Sequence, residues 1–405
     1  MQDARATAES APGPIQLLAT VPHRFFFLSG VTALAVDALW WTWTLVARTG
    51  WPAPPVSVSP TALHAFVMLF GFAPLFMFGF LFTAGPRWLG IGPPPPGAWR
   101  PAGIAAALAS IAIVPLQALP PIATQIAAGV YALAWAALLA QFVRLIRRSI
   151  VPDKVHTRLI AVAFAAGIAG VASFALAGAA AHAFVKLAGL WFFLLPVFVV
   201  VCHRMIPFFT ANVVPFVTAF RPWWLLAAMA AAPAAHGVIE ALGLGAWTLV
   251  VDLPAAVLLF GVTARWGIAR SLSNRLLAML HLGFVWYGIG FALYTVAAIM
   301  VLAGGASLGF APMHALTMGF ASSLVLAMVT RVSCGHTGRP LVADGTTWAL
   351  FLLLQVATVA RIASEFLPGG VALAIAAVLF ALSVVPWSFK YAPLYWRARE
   401  DGAPG

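Results

Sequence analysis

The chain has 405 residues, of which 63% are hydrophobic and only 8% charged, and its mean hydropathy is +1.00. A soluble domain keeps about a quarter of its residues charged, so a water-exposed enzyme is excluded and an integral membrane protein is indicated. The 22 Lys and Arg outnumber 10 Asp and Glu but are scattered between apolar runs, a pattern that orients a membrane protein and builds no nucleic-acid surface.

The first residues hold Asp3, Glu9, Pro12 and Pro14 without an apolar stretch, so no cleavable signal peptide is read there. We read 1–24 as an N-terminal tail, 25–396 as one membrane domain and 397–405 as a C-terminal tail. Crossing the hydrocarbon as a helix takes about 20 apolar residues. Such runs predict twelve helices, at 25–47, 62–84, 102–119, 122–146, 159–181, 183–203, 223–242, 246–266, 276–303, 312–331, 347–367 and 371–390. Pro120-Pro121 and Gly243–Gly245 are read as tight turns, and Pro93–Pro96 as a stiff loop. The fold class is therefore all-α, a polytopic protein whose first partner is the lipid bilayer. The tails and even-numbered loops carry nineteen Lys and Arg, among them Arg5, Arg204 and Arg331. The other side has three: Arg48, Lys186 and Arg361. That asymmetry places both termini in the cytoplasm. Cys202 and Cys334 are too few for a disulfide framework.

The helices repeat. Helix two begins His64-Ala-Phe-Val-Met68, helix six His182-Ala-Phe-Val-Lys186 and helix ten His314-Ala-Leu-Thr-Met318, and each ends on an arginine, Arg87, Arg204 or Arg331. Four helices separate successive copies, so the chain reads as three four-helix units with three imidazoles at one depth. A histidine inside a span is costly without a partner, and neutral imidazole is a common haem-iron ligand. The alternative for each is an interfacial histidine bonded to water or backbone.

These motifs resemble a known family. Pro312-Met-His314-Ala-Leu-Thr-Met-Gly319, leading to Thr330-Arg331-Val-Ser-Cys-Gly335-His336-Thr-Gly-Arg339, is similar to the signature of the NnrS family. So are His64 through Trp88, Arg204-Met-Ile-Pro207-Phe208-Phe209-Thr210 and Leu280-His281-Leu-Gly-Phe. The resemblance implies a multi-pass bacterial inner-membrane protein that binds haem and copper and acts in nitric oxide defence. In that family helix two reads His-x-His-Glu-Met. Phe66 and Val67 stand at the second His and the Glu here, which weakens the implication of copper. A more distant likeness is to subunit I of haem–copper oxidases. It implies His64 and His314 as the two axial ligands of one haem, b-type. Pro312 stands where that subunit's active-site haem ligand would be, and of the helix-seven pair only His236 is present.

Further polar groups remain. Lys186 follows His182 by one turn and, with Arg331, is a candidate for a haem carboxylate. His182, His203, His236, His281 and His336 are candidates for a second metal, and Cys202, His203, Cys334 and His336 suggest a tetrahedral site or simply head-group contacts. The acids Asp37, Glu240, Asp252 and Glu365 pair at no spacing that suggests acid–base chemistry, and His23 and His156 read as loop residues. The expected function is a haem protein of nitric oxide metabolism, an oxidoreductase or a sink. Its haem would pass electrons, or bind nitric oxide only after one His leaves, with turnover at a second metal. The competing expectation is a twelve-helix secondary transporter, which usually shows two six-helix halves.

Overall fold

The computed structural model describes residues 13–215 and 217–401; Asp3, Arg5, Glu9 and Pro12 lie outside the described residues. Among the described residues there are helices and no strands. Eleven helical runs are long and apolar enough to cross a membrane. One of them, Val155–Val213, has 59 residues, and at 1.5 Å per residue it would be about 90 Å long, three times the hydrocarbon thickness. It doubles back at Gly178, whose φ of +55° stops the first helix as a β-carbon would not readily allow. The result is twelve helices: α1 (Pro22–Ala47), α2 (Pro60–Leu81), α3 (Pro96–Leu116), α4 (Ile122–Arg148), α5 (Val155–Ala177), α6 (182–213), α7 (Trp223–Ala241), α8 (Leu249–Arg265), α9 (Arg275–Leu302), α10 (Ala311–His336), α11 (Gly345–Ala363) and α12 (Val371–Tyr391). This is a multi-pass all-α membrane protein.

Proline and side-chain caps set the starts. Pro22, Pro60 and Pro96 open helices where a missing N–H costs nothing. Asn274 accepts from the Leu277 N–H at 3.1 Å, and Asp344 from Thr347 at 2.8 Å. Pro96 thus begins α3 instead of ending a loop. Two inner helices outrun their expected ends: α6 continues through Pro207 to Val213, and α10 continues to His336. The sequence there turns polar, but neighbouring protein replaces lipid and the helix need not stop. Cys334 and His336 therefore sit on a helix, beyond its expected end, as Cys202 and His203 sit within α6.

Nine of the twelve helices surround the other three. α2, α6 and α10 touch one another along the axis, and α12 closes the ring against α1. Burial separates the classes: 78% of the α2 span and 72% of α10 are inside the protein, against 33% for α7 and 28% for α11. The ring turns Leu108, Leu133, Val162 and Phe389 outward, where only lipid can cover them. Close packing needs small residues: a β-carbon on Gly170 would stand 2.6 Å from the Phe70 ring, and one on Gly189 2.8 Å from it.

The repeat is visible in the backbone. Soon after His64, His182 and His314, each inner helix widens into a π-helical segment, at Val67–Gly71, Leu187–Leu194 and Ala315–Ser322. Such segments shift the side-chain register and free carbonyls, and they are frequent at functional sites. Tyr131 donates to Phe70 O at 2.7 Å and Ser110 to Gly71 O at 3.1 Å, satisfying those of α2. The start of α1 and the stretch that follows α12 lie on one face, here the terminal face. Arg24, fully buried at the start of α1, donates to the carbonyls of Tyr395 and Arg397. Arg399 donates to His336 O, so the C-terminal tail is packed onto α10.

Candidate functional site

The opposite, far face holds the large cavity of the molecule, about 410 Å³ between the inner helices and α1, α11 and α12. It is mostly apolar, with Met68, Phe72, Phe198, Phe310 and Met318 on its walls, and its size suits an organic ligand. His64, His182 and His314 all line it. The repeated motif thus brings three imidazoles to one void.

Their hydrogen bonds leave ligating nitrogens free. The Nδ1 of His314 lies 2.9 Å from the Phe310 carbonyl one turn back, so Nδ1 carries the proton and Nε2 keeps its lone pair. His64 stacks on Trp41, ring centroids 3.8 Å apart and planes within 12°, and its buried Nδ1 has no partner. His182 Nδ1 is likewise buried and unpartnered. Among the described residues no three His, Cys, Asp or Glu stand close enough to hold a bare metal ion. The imidazoles sit on the walls of a space larger than an ion.

Charge around the cavity is unbalanced. Arg48, Lys186, Arg361 and Glu365 line it. Arg361 and Glu365 form an ion pair at 2.6 Å. Among the described residues Arg48 and Lys186 pair with no acid, and they lie instead over aromatic rings, 5.7 Å from the centroids of Trp41 and Phe310. Two net positive charges thus face an apolar pocket, an arrangement suited to an amphipathic anion. These are the three cations that break the positive-inside pattern, the one signal that could have selected Arg48 and Arg361. Lys186 is where the sequence puts it. Arg331 is not: it lies at the other end of α10, 3.9 Å above the Phe209 ring, away from the cavity.

The remaining histidines are dispersed. His203 meets His156, Nδ1 to Nε2 at 3.1 Å, and its own Nε2 faces Pro222 O at 3.1 Å. The Nε2 of His281 lies 2.9 Å from the Thr210 hydroxyl; that hydroxyl donates to Ile206 O, so the imidazole N–H donates to Thr210. His336 packs against His23, centroids 4.3 Å apart. His236 lies 2.7 Å from Asp252 through Nδ1 and 3.7 Å from Glu240 through Nε2, under the Trp191 ring. The structure therefore does not gather the second-metal candidates, nor Cys202, His203, Cys334 and His336, into one site. It pairs His203 and His336 with His156 and His23, and His236 with Asp252, partners that linear spacing gave no means of finding, and with Glu240, one turn on in the same helix.

A second, smaller cavity of about 70 Å³ lies nearer the terminal face and is lined almost wholly by apolar groups, including Phe76, Met205 and Met328. Its walls share Ala73, Phe198 and Val325 with the large cavity. With this geometry in place, comparison with known proteins finds a match to the family model described as NnrS protein over residues 17–399. None of the curated proteins compared with the chain matches it.

Proposed function

The chain belongs to the NnrS family, which fits a membrane protein connected with nitric oxide, and from that premise we propose that its far-face cavity holds one b-type haem between His64 and His314. The observation that carries this reading is the pair of imidazoles on α2 and α10, each with a nitrogen free for coordination, lining one apolar cavity of about 410 Å³. The donor set fits the group. Neutral imidazoles suit iron, the Met and Phe walls suit a porphyrin, and the cations suit its two carboxylates. A bound haem supplies one-electron redox chemistry and an affinity for nitric oxide.

The protein's own groups perform the rest. The Phe310 carbonyl fixes the tautomer of His314 and raises its basicity. Trp41 holds the His64 ring in one plane. Arg48 and Lys186, with Arg361 already paired to Glu365, would neutralise the carboxylates, while the apolar walls would lower the local dielectric and so help to set the potential. With both imidazoles engaged by the haem, these residues would favour electron passage. Turnover of nitric oxide then needs release of one histidine or a second metal such as copper. His182 is the remaining free imidazole of the cavity and the best placed of the second-metal candidates. We place the protein in the bacterial inner membrane with both termini cytoplasmic, on the strength of the nineteen cations against three.

The test is the optical spectrum of the purified protein, oxidised and reduced. One haem per chain with low-spin bands is expected. A colourless, folded protein overturns the proposal and returns the secondary-transporter reading.

A further inference from the structure

Asp37 is a buried acid without a partner. It lies midway along α1, only 1% exposed, and neither carboxyl oxygen has a hydrogen-bond partner. Among the described residues no Lys, Arg or His forms an ion pair with it. On α2 it abuts Gly71, where an added β-carbon would stand 2.6 Å from Oδ2. Tyr131 of α4 and Ser110 of α3 send their hydroxyl protons to the Phe70 and Gly71 carbonyls that the π-helical segment frees. Those bonds use the hydroxyl protons, so neither hydroxyl has one left for the carboxylate.

An ionised carboxyl without counter-charge or donor in a bilayer interior is far costlier than a neutral one. A carboxylic acid avoids that cost by keeping its proton. Position gives the proton a use. Ala38 and Trp41 flank Asp37 on α1, and Phe72 and Ala73 follow Gly71 on α2; all four line the large cavity. The carboxyl stands one layer behind the cavity wall, and Trp41, one turn on, stacks on His64.

We propose that Asp37 is an intramembrane proton-binding site that exchanges its proton with the large cavity. The oxygen–hydrogen bond of the acid breaks as the proton passes to water in the cavity, leaving a carboxylate, which regains a proton from bulk water. A desolvated sodium ion is the other occupant to weigh. Gly71 O already accepts from both hydroxyls, which leaves too few free oxygens for a cation shell. The role of the cavity rests on the proposed function, but the protonation of Asp37 does not.

Infrared spectroscopy of the purified protein in lipid tests this. At neutral pH we expect a carbonyl-stretch band of a protonated carboxyl that moves to lower frequency in heavy water. It should vanish in Asp37→Asn, an uncharged near-isostere, and persist in Glu365→Gln. Gly71→Ala, which presses on Oδ2, should shift the band without removing it, and serves if Asp37→Asn does not fold. A band unchanged in Asp37→Asn, one that never exchanges in heavy water, or one replaced by carboxylate bands on adding sodium chloride overturns the proposal. Because the band does not depend on colour, it reads out in a protein without haem, so failure of the haem reading and failure of this one are distinguishable.

Discussion

The two ends of the inner helices carry the same kind of residue in opposite circumstances. At the far face, His64, His182 and His314 surround a cavity with nitrogens left unbonded and three cations to one acid. At the terminal face, His203 and His336 lie against His156 and His23, among packed helices. Both sets are imidazoles on repeat-related helices, and both sit beside arginines. What separates His203 from His64 and His182 is satisfaction: His203 is bonded at both nitrogens, to His156 and to the Pro222 carbonyl, whereas the buried Nδ1 of His64 and of His182 has no partner. His336 and His23 differ from the far-face set by packing ring to ring against each other. Position in the repeat proposes a site, and the hydrogen-bond inventory decides between proposals.

Exchanging the two ends gives the largest contrast. His64→Ala or His314→Ala should remove the low-spin haem spectrum altogether, whereas His203→Ala and His336→Ala should keep it. Haem content per chain and the optical spectrum read this out, and loss in all four variants would erase the distinction between the ends.

Cations sharpen the same contrast. Neutralising Arg48 or Lys186 with Gln removes a charge-assisted contact of about 1.5–3 kcal/mol, so haem should bind tenfold or more weakly for each. Haem transfer to a competing acceptor protein measures it. Arg331→Gln, at the other end, should leave haem retention unchanged.

At the terminal face the expected effect is on stability. His203→Ala strands the buried His156 nitrogen and the Pro222 carbonyl, at about 1–3 kcal/mol. Thermal unfolding in detergent should fall by a few degrees while the haem bands stay in place. A comparable loss is expected from Gly170→Ala, whose β-carbon meets the Phe70 ring, without change at the cavity.

Much of this architecture is legible in the sequence because a bilayer leaves few options. Twelve apolar runs and the His-Ala-x-x-x echo make the number and kinship of the helices readable. The run from Val155 to Val213 was divisible because its length exceeds any bilayer. Less legible were the ends of α6 and α10, where packing against protein carries the helix past polar residues. The π-helical segments leave no mark in hydropathy. Arg48 and Arg361 could have been chosen as exceptions to the charge rule, since a cation on the wrong side needs a reason to be there. The pairs His156–His203, His23–His336 and His236–Asp252 join helices or helix ends, and His23 and His156 read as loop residues until α1 and α5 were seen to include them.

The central claim is that His64 and His314, from two copies of one motif, hold a single haem while the third copy, His182, does not. Low-temperature electron paramagnetic resonance of the oxidised protein addresses it most directly, because two imidazole ligands give a low-spin ferric signal distinct from that of one. The account predicts this signal in the wild type and in His182→Ala, and its absence in His64→Ala and His314→Ala. A high-spin signal in the wild type, or a low-spin signal lost in His182→Ala and kept in His64→Ala, would contradict it.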